Sequence, residues 1–184
     1  VKNPRKQFTD LIRAVDSCAT DCREAESLVM NYVKKFGPCD QDNEGKTILH
    51  HIVQYDLPDL VEWVISKGGQ VNAVDKFRYS PLHYAVNTDV HPAVVRVLLK
   101  YGADKTLMNV VMRTPLHYLC RQMLLQNYID ILKLFVPPDQ DNSAYINLVS
   151  TKNDTALINV CSQSGCTQAI EILGSAGADV NNVT

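Results

Sequence analysis

The residues best suited to chemistry in this chain are its five histidines and six cysteines. His50, His83 and His117 recur in near-identical surroundings: Thr47-Ile48-Leu49-His50, Ser80-Pro81-Leu82-His83 and Thr114-Pro115-Leu116-His117. Imidazoles can ligate a transition metal or act as general acids and bases near neutral pH. Each of these histidines belongs to a different copy of one motif, so they are expected in successive layers, too far apart to share an ion. His51 and His91 have no carboxylate or cysteine at ligand spacing, and no nucleophile stands beside a positioned base. Nor is there a glycine-rich phosphate loop. The cysteines, Cys18, Cys22, Cys39, Cys120, Cys161 and Cys166, form no C-x-x-C pair and match no common zinc spacing. Cys120 and Cys161 take the place of a small apolar residue in two copies of the repeat, so the thiols are expected to be buried and reduced. No metal or cofactor is expected.

The elements that position these residues are set by the repeat itself. Thr47, Ser80, Thr114 and Thr155 begin successive copies 33, 34 and 41 residues apart, and a period in the thirties signals a stacked-repeat array. Phe8, Leu11, Ile12 and Val15 predict a first amphipathic helix, and Leu28, Val29, Tyr32, Val33 and Phe36 a second, with Asp21 and Glu24 as its capping box. Residues 1–40 thus read as a degenerate helical cap with a small basic cluster, Lys2, Arg5 and Lys6, on a solvated face.

Repeats are assigned to 41–73, 74–107, 108–148 and 149–184, each with a turn, a short helix and a second helix. Leu60, Val61, Val64 and Ile65 carry the buried face of the second helix in the first repeat, and Val94, Val95, Leu98 and Leu99 in the next. Pro58 and His91-Pro92 open these helices, and glycines, among them Gly68-Gly69 and Gly102, close them. Gly165 belongs to the same pattern in the fourth repeat. Residues 136–145, rich in Pro, Asp, Asn and Ser, predict an inserted exposed loop that leaves the stack.

A net charge of −2 over 184 residues, with no long basic stripe, argues against nucleic acid as a partner. No apolar run approaches the roughly 20 residues needed to span a bilayer, and no charged-then-apolar leader is visible, so a soluble, intracellular chain without membrane insertion is expected. The sequons at Asn153 and Asn182 would matter only in a secreted chain and are read as chance. A first residue of Val and not Met is compatible with a piece of a longer protein.

The two Ser/Thr-Pro-Leu-His copies, in register with Gly102-Ala103-Asp104 and Gly177-Ala178-Asp179-Val180-Asn181, resemble the ankyrin repeat family over residues 41–184. The resemblance implies an all-α solenoid of stacked helix-turn-helix units with projecting β-turn or hairpin fingers. It also implies that the recurrent histidines make structural hydrogen bonds at the helix start. The chain departs from the family pattern at several places. Ile48 and Ala156 replace proline, Ile158 replaces histidine, and Arg78, Met112 and Asn153 stand where the turn glycine is usual.

In ankyrin proteins the fingertips and the inner surface of the first helix form the concave binding face. Carried onto this chain, the fingertips are Phe77-Arg78-Tyr79 and Val110-Val111-Met112-Arg113, and the adjoining groove holds Gln54, Tyr55, Asn87, Arg121 and Gln122. Aromatic residues, methionine and arginine are enriched at interfaces, so these twelve residues are the candidate protein-binding site. The competing arrangement folds Phe77 and Val111 back onto neighbouring fingers. The function expected is a non-catalytic protein-interaction module. The alternative is a substrate-recruiting or regulatory domain of a larger enzyme or microbial effector. Trp63, on the second helix, is expected to be partly buried on the back of the stack.

Overall fold

A computed structural model describes residues 4–17, 22–88, 92–122, 127–138, 140, 142–163 and 166–181. Eleven helices are assigned among them: α1 (Pro4–Ser17), α2 (Cys22–Phe36), α3 (Ile48–Ile52), α4 (Pro58–Ser66), α5 (Pro81–Val86), α6 (Pro92–Lys100), α7 (Pro115–Leu119), α8 (Tyr128–Phe135), α9 (Ser143–Ile146), α10 (Ala156–Cys161) and α11 (Thr167–Ser175). The described residues contain no strand, only one isolated bridge between Gln41 and Thr47. Asp21, His91, Gly165, Lys2, Cys18 and Asn182, and the side chains of Arg5, Lys6 and Cys22, lie outside what is described.

The helices form two layers. The short α3, α5, α7 and α10 pack on one another in sequence, and the longer α4, α6, α8 and α11 do the same behind them, with α2 against α4 and α1 on α2. None of the short helices, at five or six residues, is stable alone, so the stack holds them. Leu49, Leu82 and Leu116 occupy one register and are fully buried, as are Ile52, Ala85, Leu119 and Val160 in the next turn. Trp63 is half-buried, with Lys67 Nζ 5.7 Å from its ring centre.

The histidines finish each helix start. His50 Nδ1 accepts from the Thr47 backbone N–H at 2.9 Å, His83 Nδ1 from Ser80 at 3.1 Å and His117 Nδ1 from Thr114 at 3.2 Å. A backbone N–H can only donate, so Nδ1 is unprotonated and Nε2 carries the proton. Each Nε2–H then donates to a carbonyl of the following unit: Tyr79 at 3.1 Å, Arg113 at 3.0 Å and Asp154 at 3.2 Å. In the fourth copy Ile158 cannot do this, and Thr155 Oγ1 accepts the Ile158 N–H in an ordinary N-cap. Asn72 makes a second clamp between units, bonding the Gly102 carbonyl (2.9 Å) and the Asp104 N–H (2.8 Å), and Asn147 repeats it on Gly177 (3.0 Å) and Asp179 (2.8 Å).

Two expectations are corrected. The 136–145 segment does not leave the stack. Its only described residues that are exposed are Pro138 and Gln140, while Val136, Asn142 and Tyr145 are buried. Asn142 Nδ2 donates to the Pro137 and Gln140 carbonyls at 3.0 and 2.9 Å, closing the turn ahead of α9. The Phe135 carbonyl at the end of α8 receives both Lys105 Nζ (2.9 Å) and the Tyr145 hydroxyl. A cation and a phenol thus close α8 where neighbouring helices use glycine.

The cysteines are free thiols where described, but only Cys120 is buried. Cys39 and Cys161 are exposed and Cys166 is half-buried. Cys120 and Cys161 share a register, and the difference between them is cover. The face of α10 that would receive a following unit is an open apolar groove of about 450 Å³ lined by Leu157, Ile158, Cys161, Ile170 and Val180.

Candidate protein-binding surface

Each unit projects a finger: residues 42–46, 75–79, 109–113 and 150–154. A polar residue five positions ahead of the helix cap anchors every one of them, namely Asp42, Asp75, Asn109 and Ser150. Asp42 Oδ1 accepts from the Glu44 and Lys46 N–H groups at 2.8 and 2.9 Å, and Asp75 Oδ1 from Phe77 and Tyr79 at 2.9 and 2.8 Å. Asn109 Oδ1 accepts from Val111 and Arg113 at 3.1 and 2.9 Å. Ser150 Oγ accepts from the Lys152 N–H at 3.1 Å and bonds the Asp154 carboxylate. These Asx-type turns hold the tips without a β-ladder.

In the first three units the other side-chain atom of the anchor is bonded to the first helix. Tyr84 donates to Asp75 Oδ2 at 2.8 Å and Asn109 Nδ2 donates to the Tyr118 hydroxyl at 2.8 Å. Burial, then the Asp75 carboxylate, raises the Tyr84 pKa and keeps the phenol a donor. Burial likewise pushes Tyr118 up to about 12. In the first unit His51 Nε2 lies 3.0 Å from Asp42 Oδ2, a carboxylate partner that local sequence spacing did not reveal. Tyr84 and Tyr118 were not among the expected site residues. The signal that could have found them is a constant nine-residue offset from the anchors, shared with His51 and Asp42.

The tips are joined in a row. Lys76 N–H donates to the Glu44 carbonyl (2.9 Å), Val110 to Phe77 (3.1 Å) and Thr151 to Val111 (3.1 Å). The first tip turns at Gly45, φ 82°, a conformation that glycine adopts freely. The next three turn at Arg78 (φ 63°), Met112 (φ 55°) and Asn153 (φ 62°). Asparagine tolerates this left-handed region, but for arginine and methionine it is unfavourable by roughly 1–2 kcal/mol. Met112→Gly is therefore expected to stabilise the chain by up to about 1 kcal/mol, visible as a higher urea midpoint. An unchanged or lowered midpoint would mean that the Met112 side chain relieves the strain through contacts of its own.

The twelve expected site residues sort into three groups. Phe77 (53% exposed), Val110 (55%), Val111 (38%) and Met112 (46%) form adjoining apolar tips, and Arg78 is exposed beside them. The Phe77 side chain stays exposed, while its carbonyl accepts from the Val110 N–H of the next finger. Gln54, Asn87 and Arg121 are exposed on the inner layer, and Gln122, half-buried, donates to Asn87 Oδ1 at 2.9 Å. Tyr79, Arg113 and Tyr55 are engaged within the fold. The Tyr79 hydroxyl meets that of Tyr118 at 2.6 Å, and its ring packs against His83, Tyr84 and Tyr118. Arg113 pairs with Asp154 at 3.2 Å, and Tyr55 donates to Asp16.

The three layered histidines have both ring nitrogens engaged in structure, and among the described residues no group of three or more His, Cys, Asp or Glu side chains could hold a metal. No helix among the described residues is long and apolar enough to cross a membrane.

A family profile described as ankyrin repeats in three copies matches residues 11–109, more than half of the chain. The chain belongs to the ankyrin repeat family. It is 33% identical over 76 residues to ankyrin repeat protein FPV233 of fowlpox virus, covering 41% of this chain and 15% of that protein. It is 32% identical over 112 residues to the E3 ubiquitin-protein ligase Ufd4 of Drosophila melanogaster, covering 60% of this chain and 4% of that one. To the B-cell lymphoma 3 protein of Homo sapiens it is 27% identical over 146 residues, covering 77% and 31%. The chain thus spans less than a third of each of these relatives. Ankyrin repeats are in general protein–protein interaction modules and a non-catalytic fold.

Proposed function

We propose that this ankyrin repeat chain binds a partner protein or peptide on the fingertips of its second and third repeats, with the inner-layer residues Gln54, Asn87, Arg121 and Gln122 extending the contact. The observation that carries this reading is the left-handed conformation of Arg78 and Met112. Glycine, as at Gly45, would turn the same finger without strain, yet side chains occupy these tips beside half-exposed Phe77, Val110 and Val111. Strain retained together with adjoining exposed apolar surface is the signature of a recognition site. Fully burying an apolar side chain of this size contributes about 1.5–3 kcal/mol, so a few such anchors suffice for specific binding.

Phe77→Ser with Met112→Ser is expected to reduce capture of interacting proteins at least tenfold in a quantitative pull-down, with the thermal midpoint nearly unchanged. Undiminished capture would displace the site from the fingertips. Tyr79 is left intact in this test because its side chain packs within the fold.

A second reading is supported by the small share of each relative that the chain spans, 4% in the ubiquitin ligase. In it the chain is the recruiting or regulatory segment of a longer protein. A catalytic domain in the complete open reading frame would support it, and a reading frame without one would exclude it.

A further inference from the structure

We infer that the segment received by the fingertips is acidic as well as apolar, an inference that rests on the binding reading above and adds the partner's charge. Lys76, Arg78, Arg121 and Lys152 are exposed on the fingers and inner layer, and none of them pairs with a carboxylate among the described residues. Arg78 Nε donates to the Met108 carbonyl at 3.3 Å, a contact that steers the side chain and leaves its charge unmatched. The bonds from Lys76 N–H to Glu44, Val110 to Phe77 and Thr151 to Val111 place these cations on both sides of the apolar tips.

The carboxylates of the same fingers are all committed elsewhere. Asp75 is buried under three donors, Asp154 holds Arg113, Glu44 holds Lys46 at 2.7 Å, and Asp42 faces His51. This positive rim belongs to a chain whose net charge is −2, so it is a local feature and not a consequence of bulk composition. Charge-assisted bonds from Arg and Lys to Asp or Glu are stronger than neutral ones and would orient an incoming segment whose apolar side chains cover Phe77, Val111 and Met112. Nucleic acid fits less well. Val110, Val111 and Met112 offer no face for stacked bases, which would leave Phe77 as the single aromatic platform.

Panning a random peptide display library against three immobilised forms of the full chain tests this inference. The forms are the unaltered chain, Lys76→Glu/Arg78→Glu/Lys152→Glu, and Phe77→Ser/Met112→Ser, each checked for an unchanged thermal midpoint. The unaltered chain is expected to enrich peptides that combine two or more large apolar residues with net negative charge. The charge-reversed form should lose those peptides at least tenfold, and the apolar-deleted form should lose them altogether. An enriched pool that is neutral or basic, or one retained by the charge-reversed form, overturns the acidic partner while leaving the fingertip site standing. Equal enrichment by the apolar-deleted form, or none by any form, overturns the fingertip site and the inference with it. Displacement of the selected peptides by single-stranded oligonucleotide at comparable concentration would replace the acidic peptide by nucleic acid.

Discussion

Lowering the pH from 7 to 5 is expected to destabilise the folded chain by roughly 2 kcal/mol for each of His50 and His83, about 4 kcal/mol together. Burial drives the pKa of both imidazoles from 6.5 down to about 4, and the bond each makes to the next unit's carbonyl only partly opposes this. His117 is shifted in the same direction by burial. Between pH 6.5 and 4 the unfolded chain therefore binds protons that the folded chain refuses. Stability is complete above the unfolded pKa and is lost as pH falls through that window.

The geometry gives the reason independently of any titration. A proton on Nδ1 would face the backbone N–H of Thr47 or Ser80, donor against donor, in a buried site. Burial would raise Asp42 and Asp154, but hydrogen bonds, and for Asp154 the Arg113 cation, outweigh it and lower both carboxyls, so their losses begin only at lower pH. Urea midpoints at pH 7 and 5 provide the measurement. A His50→Asn/His83→Asn chain should be less stable at pH 7 yet lose much less between the two pH values. Equal losses in both chains would mean that these histidines already titrate normally in the fold.

What the sequence made legible followed from periodicity, and what it concealed depended on contacts distant in sequence. The two N-terminal helices and the Ser/Thr-Pro-Leu-His helix starts are local patterns, and the structure places helices at them. The fingertip residues are candidates because the family's binding face falls on these turns and because they include aromatic, methionine and arginine side chains. Arg78 and Met112 also stand where the turn glycine is usual, and their positive φ angles give that departure a physical meaning. Tyr79 and Arg113 looked equivalent to their neighbours in sequence. Their engagement is decided by Tyr118, 39 residues away, and Asp154, 41 residues away. The composition of 136–145 signals a loop, but Lys105, from the preceding unit, draws it onto the end of α8. Cys161 shares a register with Cys120, and sequence alone could not say that among the described residues it is exposed beside an apolar groove while Cys120 is buried.

That last contrast sets up the second large effect. Leu116→Ala should destabilise the chain by about 2–5 kcal/mol, and Leu157→Ala by appreciably less, although both occupy the same position of the helix-start motif. Leu116 is fully enclosed, with α7 packed between α5 and α10, so truncation leaves a cavity that units on both sides must collapse to fill. Leu157 is 6% exposed and lines the open groove on α10, where solvent already reaches one side and less enclosed volume is created. Urea midpoints of the two single variants decide the matter, and equal losses would show that the end face is as tightly covered as the interior. The internal leucine carries a further consequence. α7 is the helix to which Asn109 is tied through Tyr118, so loosening its seat should also blur the third finger. Leu116→Ala is then expected to weaken partner capture even where the chain remains folded, while Leu157→Ala, one unit beyond the apolar tips, should leave capture intact. The core leucine and the exposed methionine would thus act on the same binding event, one by holding the finger and the other by making the contact.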